Sequence, residues 1–320
     1  MLFHTLNFVY FFIIFFVLYW FLLKRNLKAQ NILILVASYV FYGWWDWRFL
    51  SLIALSTIVD FLVGLQMARS TTERNRISLL WISICFNLGI LGFFKYFNFF
   101  AENFAILLES TGFEAHETTL NLILPVGISF YTFQTLSYTI DVYRRKVKPT
   151  SNLISFAAFV SFFPQLVAGP IERAAHLLPQ FYLRRKFDYA LAVDGSKQIL
   201  WGLFSKVVIA DKSGEIANLI FNNSSELHGS SLILGAIFFA FQIYGDFAGY
   251  SHIAIGVSRL LGFDLMQNFA FPYFSRDIAE FWRRWHISLS TWFRDYLYIP
   301  LGGSRGSTGL KVRNTFIIFI

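Results

Sequence analysis

Asn7-Phe-Val-Tyr-Phe-Phe-Ile-Ile-Phe-Phe-Val-Leu-Tyr-Trp-Phe-Leu-Leu23 carries no charge and ends abruptly at Lys24-Arg25. As a helix rising 1.5 Å per residue it is roughly 25 Å long, close to the thickness of a bilayer's hydrocarbon. No basic segment precedes it and no small-x-small cleavage pattern follows, so it reads as a retained first helix rather than a signal peptide.

The rest of the chain has the same character. Of 320 residues, 56% are hydrophobic and 14% charged, 40 are Phe, and the mean hydropathy is +0.53. A soluble domain is about 25% charged. This composition excludes an ordinary cytosolic enzyme, a disordered chain and a secreted disulfide scaffold. The single Cys85 leaves no internal disulfide. The net charge of +8 would suggest nucleic acid in a soluble protein. Here it reads as loop charge facing an anionic leaflet, with no nucleic-acid partner.

Further apolar segments are Asn31–Trp45, Phe49–Met67, Ile77–Phe100, Leu120–Ile140, Leu153–Ala168, Gln198–Phe221 and Ser231–Leu261. Gly245 and Gly249 suggest a break in the last, and another apolar helix starts near Thr315. Charges alternate between the loops. Lys24, Arg25 and Lys28 make the first basic. Arg69, Arg74 and Arg76 outweigh Glu73 in the third, and Arg144, Arg145, Lys146 and Lys148 fill the fifth. Asp46 and Arg48 cancel in the second, and Glu102, Glu109, Glu114 and Glu117 make the fourth acidic. By the positive-inside rule the odd loops are cytoplasmic and the N-terminus is outside.

After Asn152 the pattern degrades. Pro164 and Pro170 interrupt an apolar stretch, and broken backbone at membrane depth survives only where protein or a water-filled cavity covers it. Residues 171–197 are charged and read as interfacial. The expectation is an all-α, polytopic integral membrane protein forming one membrane domain over residues 1–320.

Polar residues inside spans locate candidate chemistry. Ser129, Thr132 and Gln134 are either helix–helix glue or the lining of a polar tunnel. Asp246 and His252 lie in Tyr244-Gly-Asp-Phe-Ala-Gly-Tyr-Ser-His252, either as a structural ion pair at a helix break or as site residues. The segment from Ser275 to Leu301 is the richest. Ser275 is a plausible N-cap, with Asp277 in the first turn, and Pro300 a stop. Phe281, Trp285, Leu289, Trp292 and Tyr296 form one apolar stripe of a single amphipathic helix. Arg283 and Arg294 fall opposite, and His286 lies between. Such a helix lies at the interface or dips into a funnel. Imidazole suits proton transfer near neutral pH, although a lone histidine is more often structural than catalytic. His4, His116 and His228 are terminal or in outer loops, and His176 sits in the interfacial 171–197 segment. No cluster has metal-ligand spacing, so no metal is expected. Gly302-Gly303-Ser304-Arg305-Gly306 reads as a turn.

The run Phe281-Trp-Arg-Arg-Trp-His-Ile-Ser-Leu-Ser-Thr-Trp-Phe-Arg-Asp-Tyr-Leu-Tyr-Ile-Pro-Leu-Gly-Gly303 closely resembles the signature of membrane-bound O-acyltransferases, in the branch of the alginate O-acetyltransferase membrane subunit. Ala37-Ser-Tyr-Val-Phe-Tyr-Gly-Trp-Trp45, Leu124-Pro-Val-Gly-Ile-Ser-Phe130, Phe163-Pro-Gln-Leu-Val-Ala-Gly-Pro170 and Tyr244-Gly-Asp-Phe-Ala-Gly-Tyr-Ser251 extend the resemblance over nearly the whole chain. It implies a helical bundle with re-entrant helices around a funnel in the bacterial inner membrane, with His286 in that funnel as a catalytic base or donor-orienting group. It also implies an acyl thioester donor, such as acetyl-CoA, from the cytoplasm and no bound cofactor. The acceptor would be an exported cell-envelope polysaccharide or a periplasmic acetyltransferase. Arg283, Arg284 and Arg294 would receive donor phosphates, because guanidinium matches phosphate geometry. Asp246 and Gln134 would line the tunnel.

Two features depart from the family pattern. His252 stands where members generally carry Asp, so no role is carried onto it. The family's second histidine, in a Trp-His-Gly segment, falls beyond Ile320, so a longer protein is expected, with this fragment inactive alone. The rival readings are a polysaccharide-precursor transporter, which broken helices also suit, and a scaffold for soluble acetyltransferases.

Overall fold

A computed structural model describes residues 1–111 and 122–319. Glu114, His116, Glu117 and the start of the fifth expected span lie outside the described residues. Thirteen α-helices are present among them, and no strand.

Helix α1 (Leu6–Val17) runs into a π-helical turn, Leu18–Leu22. α2 (Leu27–Asp46) starts where the Asn26 side chain accepts the Ala29 amide. Asp46 leaves helical geometry and its carboxylate accepts the Arg48 amide, which ends α2 and lets α3 (Leu50–Arg69) begin anew. α4 (Glu73–Ser110) follows. α5 (Ile128–Tyr143) begins at Gly127, whose φ of +77° suits glycine, and where an added Cβ would lie 2.4 Å from the Leu166 carbonyl oxygen. Among the described residues three helical stretches are long and apolar enough to cross a membrane: Leu27–Arg69, Glu73–Ser110 and Gly229–Leu260.

Contacts between loops sort the helix ends. The Arg76 guanidinium donates to the carbonyls of Met67, Val142 and Tyr143, joining the third loop to the fifth. At the other end the Tyr42 hydroxyl donates to the Val126 carbonyl, and the N-terminal amine donates to that of Phe41. The basic loops therefore share one end of the bundle, opposite the N-terminus. Alternation of loop charge predicts this arrangement.

The sixth expected span is not one. α6 (Leu153–Val160) is too short to cross a bilayer, and the chain from Ser161 to Arg173 is irregular yet buried, with Phe162 and Phe163 fully enclosed. Protein covers the broken backbone at Pro164 and Pro170, as its survival requires. Short α7 (Ala174–Leu177) follows. α8 (Tyr189–Leu203) continues through a π-helical stretch, Phe204–Ala210, into α9 (Asp211–Asn222).

The expected break at Gly245 and Gly249 does not occur: α10 (Gly229–Leu260) is continuous. These glycines serve packing instead. Cβ atoms built on Gly245, Gly249 and Gly256 would fall within 2.9 Å of carbonyl oxygens on the stretch from α8 into the π-helical segment, and Gly195 and Gly202 answer from that side. Missing side chains let the two backbones touch, as small residues do between membrane helices.

Candidate active site

The segment expected as one helix from Ser275 is two. α11 (Ile278–Arg284) is capped by Asp277, whose carboxylate accepts the Glu280 amide at 2.7 Å, and not by Ser275. Trp285 is extended. His286 sits at φ +43°, ψ +53°, and its carbonyl accepts the Ser290 amide to start α12 (Ile287–Phe293). A side chain with a Cβ costs of order 1–2 kcal/mol in this left-handed region. The apolar stripe is split accordingly. Phe281 and Trp285 pack with Tyr273, whereas Trp292 packs on Phe133 and donates its indole N–H to the Phe133 carbonyl. A π-helical turn, Arg294–Tyr298, and α13 (Thr308–Phe319) follow.

A buried asparagine holds the break. The Asn268 carbonyl accepts the Ile287 amide at 2.9 Å, and the Ala270 amide donates to the Arg284 carbonyl at 3.0 Å. These two bonds straddle His286. Asn268 Oδ1 accepts the Ser288 hydroxyl at 3.0 Å, its amide nitrogen donates to Ser251 on α10, and Ser288 Oγ accepts the Ile171 amide. The sequence signals none of this: Asn268 lies in an irregular stretch with no pattern.

The His286 ring packs edge-on against Phe247, with Phe130 and Phe269 nearby. Nε2 is buried without a hydrogen-bond partner. Phe130 lies thirteen residues from Tyr143 on α5, and Phe247 thirteen from Leu260 on α10. Both helix ends lie at the basic face, where Leu260 and Leu261 receive Trp20 and Tyr19. At 1.5 Å per residue, the ring lies roughly 20 Å in from that face.

His286 opens onto a cavity of about 740 Å³. Trp282, Trp285, Ser290 and Arg294 line it from the broken segment, Lys95 and Tyr96 from α4, and Phe133 from α5. Lys95 has no ion pair among the described residues. Sequence reasoning passed over it, although a lone cation inside an apolar span is a signal in itself.

The other expected site residues are dispersed. Arg294 lines the cavity while its Nε holds Asp295 at 2.7 Å. Arg284 is committed to Glu280, which Arg276 also grips; the hydrogen bonds from the Arg276 amide and guanidinium pull the Glu280 carboxyl down to about 2. Arg283 is exposed and does not line the cavity. Asp246 pairs with Lys206 Nζ, which also holds Asp211 at 2.7 Å. Lys206 stands in the π-helical stretch, so this ion pair fixes the packing of α10 there and not a break in α10. Gln134 donates to the Phe159 carbonyl at 2.8 Å, closing the frayed end of α6. His252 faces Gln198 on α8 at 3.2 Å. Among the described residues no three His, Cys, Asp or Glu side chains form a metal-holding group.

The model of the membrane-bound O-acyltransferase family matches residues 69–320. The chain belongs to this family. It is 44% identical over 295 residues to the probable alginate O-acetylase AlgI of Pseudomonas aeruginosa, covering 92% of this chain and 56% of that protein. It is 35% identical to the peptidoglycan O-acetyltransferase of Helicobacter pylori, over 92% of this chain and 60% of the relative. The teichoic acid D-alanyltransferase of Bacillus subtilis is 33% identical over 190 residues, 58% of this chain and 48% of that one. The chain thus spans little more than half the length of the curated relatives it matches, and it is an all-helical, multi-pass membrane member of the family.

Proposed function

We propose that the protein containing this chain is a membrane-bound O-acyltransferase that moves acetyl groups to an exported cell-envelope polysaccharide, with His286 in the reacting centre. The observation that carries this reading is the strained break that sets an imidazole, whose Nε2 has no hydrogen-bond partner among the described residues, beside an open cavity. Strained backbone of this kind clusters at functional sites.

The chemistry follows from the position of the ring on the cavity wall. As general base, the His286 imidazole takes the proton of an acceptor hydroxyl while the hydroxyl oxygen attacks the thioester carbonyl. The carbonyl oxygen becomes an oxyanion, which Lys95 or Arg294 stabilises from the cavity wall. Collapse breaks the C–S bond, and the thiolate leaves with the proton that His286 accepted. Arg144 and Arg173, both against the Tyr296 ring at the basic face, are better placed than Arg283 or Arg284 to meet donor phosphates. In this reading the basic face is cytoplasmic and supplies an acyl thioester such as acetyl-CoA. The N-terminus is then extracytoplasmic in a bacterial inner membrane, where a polysaccharide or a periplasmic acetyltransferase takes the acyl group. The relatives' names support acyl transfer to envelope polymers.

The test is His286→Ala in the full-length protein, with polymer acetylation measured at matched expression. Loss of acetylation is expected. Unchanged acetylation removes His286 from the mechanism and favours a scaffold.

A further inference from the structure

A second cavity, of about 540 Å³, lies at the basic face and shares no lining residue with the first. One wall is apolar: Phe16, Trp20 and Phe21 from α1 and its π-helical turn, and Phe187, whose ring meets Trp20 edge-on at 5.5 Å. The other is cationic: Lys24 and Arg25 from the first loop, Arg184 and Lys186 from the residues before α8. None of these four forms an ion pair among the described residues, and no Asp or Glu lines the cavity. Between the walls stands Arg185, only 6% exposed. Its Nη2 donates to Asn31 Oδ1 at 2.6 Å, and its guanidinium lies 4.8 Å over the Phe263 ring. Its Nε and Nη1 are buried and make no hydrogen bond that meets ordinary geometry among the described residues, and the guanidinium also lies 5.6 Å over the Tyr19 ring.

The four outer cations are exposed and screened by solvent, so their gathering costs little, but a buried guanidinium with two unpaired donors is costly. An anion with several oxygens bridges the four outer cations and sets a counter-charge beside the guanidinium of Arg185. The neighbouring surface restricts which anion fits. Phe21 and Leu22 are exposed beside the cavity, as on a lipid-facing helix, so an occupant needs an apolar tail as well as a phosphate. Basic pockets of this kind at a membrane's cytoplasmic face suit acidic headgroups.

We propose that this cavity binds an anionic glycerophospholipid. Its phosphate sits among Lys24, Arg25, Arg184 and Lys186 and reaches Arg185, and one acyl chain runs along Phe16, Phe21 and Phe187. The bound lipid ties the first loop to the start of α8. This inference does not depend on acyl transfer.

The test uses the full chain in nanodiscs with lipids brominated on the acyl chain near the headgroup. Bromine quenches adjacent tryptophans, and subtracting the signal of Trp20→Phe isolates Trp20. Brominated dioleoylphosphatidylglycerol diluted into phosphatidylcholine is expected to quench Trp20 at least threefold more than brominated phosphatidylcholine at equal dilution. The variant Lys24→Gln/Arg25→Gln/Arg184→Gln/Lys186→Gln is expected to erase the difference. If that variant misfolds, the exposed pair Arg184→Gln/Lys186→Gln is expected to halve it. Equal quenching by the two lipids, or a difference surviving substitution, overturns the proposal. Displacement of phosphatidylglycerol by millimolar inorganic phosphate also overturns it, because the site would then take a soluble anion.

Discussion

Asn268 and Ser288 lock the turn that carries His286: the serine hydroxyl donates to Asn268 Oδ1 at 3.0 Å, while the Asn268 carbonyl takes the Ile287 amide between them. Both residues are fully buried. Removing the Asn268 side chain leaves the Ser288 hydroxyl and the Ser251 hydroxyl without that partner, a cost of about 1–3 kcal/mol. Asn268→Ala in the full-length protein is therefore expected to lower the melting temperature by a few degrees and polymer acetylation at least tenfold. The second effect exceeds the first because Asn268 positions a ring rather than a domain. Acetylation that falls only in step with the folded fraction would reduce Asn268 to a packing residue.

The left-handed backbone at His286 makes a separate prediction. Glycine adopts φ +43° without the Cβ penalty, whereas alanine keeps it. His286→Gly and His286→Ala lose the same imidazole, so both are expected to be inactive. The glycine variant should nonetheless be the more stable by about 1 kcal/mol, reduced somewhat by glycine's larger entropy when unfolded. Denaturation of the two variants side by side measures this. An alanine variant as stable as the glycine one would mean that the break relaxes to a right-handed turn once the imidazole is gone.

The second, third, fourth and eighth apolar segments are legible as spans because lipid imposes one rule, apolar length, and loop charge imposes another, whereas the sixth satisfies the first rule in composition and not in helix length. Arg76 and Tyr42 show the helix ends sorting as that charge alternation predicts. The break at Trp285–His286 was not legible, because a stripe at helical spacing satisfies a continuous helix as well as two short ones. What decides between them is the pairing of residues 268 and 270 with 284 and 287, a tertiary contact without a local pattern. Glycines misled for a related reason. In sequence, a glycine permitting a kink and one permitting close approach look the same, and at Gly249 only the carbonyl of Gly202 tells them apart. An Asp246 in an apolar stretch calls for an ion-pair partner, but that partner, Lys206, lies forty residues away with no local pattern to mark it.

At the basic face, His176 donates from or accepts at Nδ1 against Glu172, 2.8 Å away, and its Nε2 lies 3.4 Å from Asp264. The Glu172 hydrogen bond raises the His176 pKa, and burial raises that of Glu172. Both groups therefore hold protons more tightly when folded than unfolded, so stability falls as pH rises. The His176 contribution is complete below about pH 6.5, its unfolded value, and disappears as pH climbs through the raised folded value. Thermal unfolding between pH 5.5 and 8.5 is expected to show wild type losing stability faster than His176→Gln, with the two curves converging at the alkaline end. Parallel curves would show that the pair does not titrate in this range.

Close approach of α8 and α10 gives the sharpest contrast between two glycines. A Cβ on Gly256 would lie 2.5 Å from the Gly195 carbonyl oxygen, an atom of rigid backbone, whereas one on Gly89 in α4 meets nothing within 4 Å. Gly256→Ala must push two helices apart, and overpacking of this kind costs typically 1–3 kcal/mol. Gly89→Ala gains roughly 0.5–1 kcal/mol from helix propensity alone. Gly256→Ala is thus expected to lower the melting temperature and the yield of monodisperse protein, and Gly89→Ala to raise or preserve both. Because the crossing also seats Ser251, which receives the Asn268 amide, Gly256→Ala should cost acetylation beyond its loss of folded protein. Equal behaviour of the two variants would mean that the helices are not in backbone contact.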